Sequence, residues 1–511
     1  MTFNSLAFLI FLPSVLAGYF LTRALPERLG GNLRWVLLLL ASYFFYMYTR
    51  PALVTLILLT TLVSYLAALW IERIDRSCGE GASPTAKRRG EGKRRLCLVL
   101  TLSVCLGVLF FFKYFNFFAE SVLDLVGIFT RREYDFSLRL LLPVGISFYT
   151  FQTLSYVIDV YRRRIPAERH LGYYALFVSF FPQLVAGPIE RPENLLPQLK
   201  KRTAVSREDL FAGISKLALG FFKKIAVADL LGEYVGALYN HLDTIETVPT
   251  LGVVVATLLF AVQIYADFSG YTDIAIGSAR IMGIRLMKNF DRPYTAGTVR
   301  EFWGRWHLSL SSWFRDYLYI PLGGSRVGRA RHLLNVAIVF LVSGLWHGAA
   351  ATFVLWGALH AVYQIIGTLT LRGRDRLLSR IGLCPSRVLV RSVRRVLTFL
   401  LVDFAWLFFR ANSTGDLRRL LFALISKKSL SVGLGESLRM LGLDGPSILL
   451  TVLSIVLLFF LDRLVPHHGE GDGGRRIFSR GTLVTVAWIV IFAWTYLAAN
   501  DMTSSFIYFQ F

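Results

Sequence analysis

One histidine stands out by its chemistry, because it lies where ionisable side chains are rare. His347 sits in the apolar stretch 343–351, within the sequence Leu-Trp-His-Gly. An imidazole can take up and return a proton near neutral pH, and an ionisable group at bilayer depth is costly enough to be a functional candidate. We interpret His347 as a catalytic base. The competing interpretation is a buried histidine bonded to a neighbouring helix, and His360 fits that second description better.

A second candidate segment is residues 300–317, which combine aromatic, basic and histidine side chains. At helical spacing Trp306, Trp313 and Tyr317 share one side, while arginines are free to reach the membrane surface. Two interpretations stay open: an interfacial helix in the aromatic belt, or a cavity wall on which His307 faces the substrate. In the second interpretation the substrate-binding candidates are Trp303, Trp306, Ser311 and Arg315, and Trp346, beside His347, is a further one.

A third segment, residues 263–273, places two carboxylates inside an apolar run. Asp267 precedes Tyr271 by four residues and Ser269 precedes Asp273 by four, so each pair can bond along one helix. The simpler interpretation is polar contact between helices. The two carboxylates favour a lined cavity, which makes Asp267, Ser269, Tyr271 and Asp273 substrate-binding candidates.

The composition defines the elements that must position these residues. Of 511 residues 55% are hydrophobic and 17% charged, whereas soluble domains have about 25% charged residues. A soluble core could not hide this much apolar surface, so the sequence predicts an all-α polytopic membrane protein. The predicted spans are 6–21, 35–48, 53–71, 96–112, 251–266, 397–409, 448–461 and 483–498.

The excess of 56 Lys and Arg over 33 Asp and Glu is typical of cytoplasmic loops in a membrane protein. The charges concentrate in 71–95 and 372–395, which we predict to be cytoplasmic loops, with a loop at 79–92 inside the first. Counting spans back from the first loop places the N-terminus outside. Because cytoplasmic loops account for the positive charge, we expect no nucleic-acid partner. The four cysteines have no metal-binding spacing, so we expect no metal.

Residues 336–370 are nearly uncharged and lie between basic flanks. One helix of that length would span about 52 Å, more than a bilayer needs. Matching flanks predict instead a hairpin with halves of about 17 residues, which turns near residues 343–348 and carries His347 at its apex.

Several motifs together resemble one family. They are residues 143–152 (PVGISFYTFQ), 180–189 (FFPQLVAGPI), 263–283, 302–324, 346–360 and 505–511. They are similar to the membrane-bound O-acyltransferase (MBOAT) superfamily, and most to its alginate O-acetyltransferase branch. The family's catalytic histidine aligns with His347, next to Trp346, and its second histidine aligns with His307.

The resemblance implies a multi-pass protein of the bacterial inner membrane, with a periplasmic N-terminus and roughly a dozen spanning or re-entrant helices around a funnel. One domain, 1–511, would comprise peripheral helices 1–135, a catalytic core 140–370 and C-terminal helices 395–511. No bound cofactor is expected. The donor would be acetyl-CoA, and the partners membrane lipid and a periplasmic acetyl-acceptor protein of the polysaccharide acetylation machinery.

The implied reaction is O-acetylation of an exopolysaccharide, alginate in the first instance. His347 would act as general base or carry the acetyl group itself, while His307 would orient His347 or polarise the carbonyl. Cellulose or peptidoglycan O-acetylation and D-alanyl transfer stay open. A transporter or flippase that uses the same polar residues as a proton relay is the alternative from another class.

Overall fold

The computed structural model describes residues 1–48, 50–78, 83–130, 138, 143–185, 187–202, 204–380 and 388–464. All regular secondary structure in these ranges is helical, which confirms the predicted all-α class. The helices fall into two compact units along the chain. The predicted division into peripheral, core and C-terminal stretches of one domain stays a prediction.

The first unit comprises residues 1–217 and 274–287. In this unit α1 packs on α2, and α3 packs on both α4 and α6. The Tyr19 hydroxyl donates to the Met282 carbonyl at 2.6 Å, which holds α1 against the segment after α12. Its helices are α1 (Leu6–Ala24), α2 (Glu27–Met47), α3 (Val54–Ser77), α4 (Pro84–Leu109), α5 (Phe115–Thr130), α6 (Ile146–Tyr161), α7 (Leu171–Ser179), α8 (Phe181–Leu184) and α9 (Pro192–Lys200).

The second unit comprises residues 218–273 and 288–511, of which the structure describes residues up to 464. Two helices, α10 (Arg207–Phe221) and α12 (Thr250–Ile281), contribute residues to both units. The other helices are α11 (Leu230–Tyr239), α13 (Val299–Trp303), α14 (Leu308–Phe314), α15 (Arg329–His347), α16 (Ala351–Arg380), α17 (Val388–Arg410), α18 (Thr414–Ala423), α19 (Lys427–Leu430), α20 (Leu434–Met440) and α21 (Gly445–Leu464). Wider π-helical turns cover Phe222–Asp229 and Arg315–Tyr319.

Seven helical stretches in the described ranges are long and apolar enough to cross a bilayer. They are Leu6–Ala24, Pro51–Ser77, Pro84–Gly127, Thr250–Ile281, Arg329–His347, Ala351–Leu371 and Gly445–Arg463. Many of their large apolar side chains face outward, as lipid contact requires. The predicted spans between residues 6 and 461 lie in helices, except that Tyr48 follows the last residue of α2. The predicted span 483–498 and the motif 505–511 lie outside the described residues.

The predicted hairpin is confirmed, with longer halves than expected. The turn is Gly348–Ala350, directly after His347, and α15 and α16 pack closely along their length. Glycines make this approach possible, because a Cβ atom on Gly344 would lie 2.3 Å from the Phe353 carbonyl oxygen. A Cβ atom on Gly357 would likewise lie 2.4 Å from a carbonyl oxygen of α15.

The two basic segments are mostly helical, so their prediction as loops is wrong. Helix α3 continues to Ser77 and α4 begins at Pro84, which also makes 84–92 helical instead of a loop. Helix α16 similarly extends to Arg380, and α17 begins at Val388. Long basic side chains are good helix formers, so a charged helix can continue beyond the hydrocarbon layer where hydropathy alone suggests an end.

The interpretation of residues 300–317 as a single helix is also wrong. Helix α13 ends at Trp303 and α14 begins at Leu308, and His307 between them has a left-handed backbone (φ 44°). Trp306 and His307 are fully buried, so these two side chains pack inside the protein instead of facing lipid. The break arises because residues 305–308 exchange backbone hydrogen bonds with residues 289–291, and this pairing overrides the helical spacing.

Candidate functional site

His347 is the last residue of α15, and only 3% of its surface is exposed. Its ring centroid lies 5.0 Å from Trp356 and 5.4 Å from Phe409. A Cβ atom on the next residue, Gly348, would lie 2.1 Å from the Phe353 ring. The tight turn and the aromatic rings therefore fix the imidazole in one place, as a catalytic base requires.

Trp346 joins the two predicted catalytic histidines. Its ring centroid lies 5.0 Å from His347 and 6.0 Å from His307. His307 also packs at right angles to Phe268 of α12 at 4.6 Å. The structure thus places His347, Trp346 and His307 in one continuous buried group.

His307 has a strained backbone. Its φ and ψ of 44° and 55° are left-handed, which costs a residue with a Cβ atom on the order of 1–3 kcal/mol. Arg292 has the same backbone conformation (φ 48°) at the other end of the paired segments. Such strain often marks functional sites, and here it places the His307 ring against Phe268 and Trp346.

His360 belongs to the same aromatic surroundings, although its neighbours in the sequence do not distinguish it. Its Nδ1 accepts a hydrogen bond from Nε1 of Trp303 at 3.2 Å. Its ring lies 4.9 Å from Trp356, which also contacts His347. Three histidines, 307, 347 and 360, are thus connected through tryptophans, and all are buried.

The predicted carboxylates of α12 pair with two lysines of the π-helical segment. Lys223 Nζ lies 2.9 Å from Asp273 and 2.6 Å from Asp462. Lys224 Nζ lies 2.8 Å from both Asp229 and Asp267. All six of these side chains are buried. The contacts support the simpler interpretation, polar contact between helices, while substrate binding by Asp267, Ser269, Tyr271 and Asp273 stays a prediction.

The remaining predicted residues divide into two sets. Trp306 joins the aromatic group, with its ring 5.1 Å from Trp406, and Trp303 joins it through His360. Ser311 is half-buried and donates to the Trp306 carbonyl at 3.1 Å. The Arg315 side chain is 63% exposed and pairs with its neighbour Asp316. The geometry therefore connects the tryptophans to the histidines and leaves Arg315 at the surface.

The second unit also contains an open cavity of about 630 Å³ with a basic lining. Four arginines face it, against two carboxylates, and Glu301 pairs with Arg305. The excess of guanidinium groups suits an anion that can accept several hydrogen bonds, such as a phosphate. The lining residues are Asp291, Arg292, Thr295, Glu301, Gly304, Arg305, Arg395 and Arg463.

Sequence reasoning missed Lys223, Lys224 and Asp462, and it missed Asn289, which contacts His307. A signal was present for the lysines, since two adjacent charges inside an apolar run are costly and therefore significant. The sequence contained no comparable signal for Asn289, because a single polar residue before a proline-containing loop is ordinary.

Residues 167–377 match the model of MBOAT, the membrane-bound O-acyltransferase family. This range includes both predicted catalytic histidines and His360.

Named relatives cover most of the chain. A protein of Pseudomonas aeruginosa named "Probable alginate O-acetylase AlgI" is 37% identical over 90% of this chain and 81% of its own length. The protein of the same name from Pseudomonas putida is 33% identical over the whole of both chains. A peptidoglycan O-acetyltransferase of Helicobacter pylori is 31% identical over 84% of this chain and 81% of its own length.

Proposed function

Because the chain belongs to the membrane-bound O-acyltransferase family, and is thus a multi-pass membrane enzyme, we propose a specific reaction for it. It takes an acetyl group from a cytoplasmic acyl thioester, acetyl-CoA, and passes it across the membrane for O-acetylation of an exopolysaccharide, alginate. The observation that carries this proposal is the buried group of His347, Trp346 and His307 at the end of the α15–α16 hairpin.

His347 acts as the general base. It takes the proton of an acceptor hydroxyl while that oxygen attacks the thioester carbonyl carbon. The tetrahedral intermediate then collapses, the carbon–sulfur bond breaks, and the leaving thiolate takes the proton from His347. In the covalent variant the imidazole attacks the thioester carbonyl, the carbon–sulfur bond breaks, and the thiolate leaves with the imidazole proton. The hydroxyl then attacks the acetyl-imidazole, the carbon–nitrogen bond breaks, and the hydroxyl proton returns to the imidazole. Both variants place His347 at the reacting carbonyl.

The basic cavity supports acetyl-CoA as donor. Arg395, on its wall, and Phe409, against His347, both belong to α17. Fourteen helical residues separate them, a rise of about 21 Å. A donor that used both places would carry phosphates at one end and a thioester at the other end of an extended arm, as CoA does.

The charge distribution supports an orientation. Arg391, Arg394 and Arg395 lie near the start of α17, and Arg329 and Arg331 lie at the start of α15. Basic residues concentrate on the cytoplasmic side, which supports an orientation of α15 with His347, at its opposite end, towards the periplasm. The basic residues of 71–95 support, by the same rule, an inner-membrane protein with a periplasmic N-terminus.

The acceptor follows from the orientation and the relatives. An acetyl group delivered towards the periplasm meets either a polymer hydroxyl or a serine of a periplasmic acetyl-acceptor protein that completes the transfer. Two relatives named for alginate O-acetylation cover 90% and 100% of the chain. The Helicobacter relative makes peptidoglycan the second candidate, ahead of cellulose or a D-alanyl donor.

The decisive experiment incubates the purified protein, in lipid bilayers, with acetyl-CoA labelled in the acetyl group and with alginate, peptidoglycan or cellulose. We expect label on alginate, or on an added periplasmic partner, with wild-type protein and none with His347→Gln at equal folded amounts. Label on peptidoglycan alone would reassign the acceptor. Equal transfer by His347→Gln would overturn the mechanism.

A further inference from the structure

Asn289 is fully buried and contacts the candidate site directly. Its side-chain oxygen lies 2.6 Å from the Ser309 hydroxyl, 3.4 Å from the Ser309 backbone nitrogen and 3.3 Å from Nδ1 of His307. Its amide nitrogen lies 3.2 Å from the hydroxyl oxygen of Thr272 on α12. Asn289 therefore links α12, α14 and the second catalytic histidine.

The contacts fix which way the amide points. A backbone N–H can only donate a hydrogen bond, so the Asn289 atom that faces Ser309 N must be the oxygen. The amide nitrogen then faces Thr272, whose hydroxyl can accept. The orientation follows from the network of donors and acceptors, which is how amide orientations are assigned.

The amide oxygen in turn fixes the proton of His307. An oxygen only accepts, so the ring nitrogen opposite it, Nδ1, carries the hydrogen of the neutral imidazole. The other nitrogen, Nε2, then holds a lone pair and is an acceptor. In a neutral histidine the hydrogen bond at one nitrogen decides the chemistry of the other.

The same residue also holds the backbone. The Leu308 N–H donates to the Asn289 carbonyl at 2.9 Å, and the Asp291 N–H donates to the Arg305 carbonyl at 2.9 Å. These bonds sit on either side of the left-handed His307. Asn289 therefore constrains the backbone and the ring of the histidine together.

We propose that Asn289 is a positioning residue that keeps His307 in the Nδ1–H tautomer, so that Nε2 acts as a hydrogen-bond acceptor in catalysis. The inference rests on the proposed function and separates two roles for His307. A neutral ring with a lone pair on Nε2 cannot donate to a thioester carbonyl. It can only accept a hydrogen bond, from a hydroxyl of the substrate or from another donor that comes within its reach.

The tautomer can be measured without any turnover. Solid-state ¹⁵N NMR of the histidine-labelled full chain in lipid bilayers distinguishes protonated from unprotonated ring nitrogens, and loss of a signal in His307→Gln assigns it. We expect His307 to be protonated at Nδ1 in the wild type. Protonation at Nε2 instead would overturn the proposal.

Three variants test the role of the asparagine. Asn289→Leu removes the acceptor, so we expect the Nδ1–H preference to disappear and acetyl transfer to fall about 10- to 100-fold, by analogy with the loss of the partner that orients a metal-binding histidine. Asn289→Asp keeps an oxygen opposite Nδ1, so it should restore the protonated Nδ1 signal. Asn335→Leu removes another fully buried asparagine, which bonds the Leu322 and Gly324 carbonyls; it should leave the His307 signal unchanged.

The outcomes separate this proposal from the proposed function. A wild-type protein with the Nδ1–H signal but no acetyl transfer would contradict the function and support the tautomer. Transfer with an unchanged His307 signal in Asn289→Leu, at equal folded amounts, would overturn the role of Asn289 alone.

Discussion

The indole N–H of Trp303 donates a hydrogen bond to Nδ1 of His360 at 3.2 Å, with the two rings nearly perpendicular. Because Nδ1 accepts, neutral His360 carries its proton on Nε2. This is the opposite tautomer to the one inferred for His307. Two buried histidines, His307 beside Trp346 and His360 beside Trp303 and Trp356, thus differ in the nitrogen that can donate.

Replacing Trp303 by Phe should destabilise the protein without abolishing acetyl transfer. The substitution leaves Nδ1 of His360 buried and without its donor, which costs about 1–3 kcal/mol. Thermal unfolding in detergent would measure the loss. A double variant with His360→Phe should recover part of the stability, because both partners are then apolar. No recovery would show that the bond is not the source of the effect.

His347→Gln should lower acetyl transfer by about 10² to 10⁴, the usual contribution of a positioned general base. The side chain of glutamine is of similar size but cannot take up a proton. His360→Gln is the matched control, since it changes a buried histidine of the same aromatic surroundings outside the proposed catalytic pair; its transfer rate should fall far less. Equal losses in both would place the chemistry elsewhere.

Lys223→Met should destabilise the protein by about 3–5 kcal/mol, because it leaves two buried carboxylates, Asp273 and Asp462, without their shared cation. Lys428→Met is the control. Its ion pair with Glu246 is exposed, and exposed pairs contribute at most about 1 kcal/mol. Denaturation of both variants in the same detergent gives the comparison. Similar losses would mean that the buried network contributes little.

Gly344→Ala should disrupt the α15–α16 hairpin, because its methyl group would lie 2.3 Å from the Phe353 carbonyl oxygen. Both stability and acetyl transfer should fall, since the hairpin positions His347. Gly367→Ala, farther along α16, has no heavy atom within 4 Å of the added carbon. It should raise stability by about 0.5–1 kcal/mol, as helical Gly→Ala changes do. A tolerated Gly344→Ala would contradict the close packing.

Glu190 should make stability depend on pH. It is fully buried in the first unit, accepts from the Met287 N–H and Asn194 Nδ2, and burial raises its pKa from 4.5 to about 7. Between these values the folded state binds more protons than the unfolded state, so this contribution to stability decreases as pH rises from 4.5 to about 7. Glu190→Gln should remove that decrease. Identical melting profiles across this range would refute the assignment.

Features of the fold that depend on composition could be predicted from the sequence, whereas features that depend on tertiary contacts could not. Apolar runs and matching basic flanks were enough for the spans and for the hairpin with His347 at its turn. The break around His307 could not be predicted from the sequence. It depends on backbone hydrogen bonds between residues 305–308 and residues 289–291, and no local sequence pattern identifies these two segments as partners. The helix ends in the basic segments were predicted wrongly for a related reason, since a charged helix can continue beyond the hydrocarbon layer.

Candidate residues followed the same rule. His347 and His307 could be recognised because their residue types and surroundings are unusual. The partners of Asp267 and Asp273 could not be recognised. Lys224 and Lys223 lie about 40–50 residues earlier in the chain, and helical periodicity does not connect residues that far apart.

The buried ion pairs impose an order on biosynthesis. Lys223 enters the membrane during synthesis roughly 240 residues before its partner Asp462 is made, a delay of roughly 10–50 s at ordinary translation rates of about 5–20 residues per second. Through that interval the amine must be held by Asp273, by water or by the insertion machinery. Final assembly of the second unit therefore waits for α21, and a chain that stops before α21 would present the quality-control system with a half-neutralised charge inside the bilayer.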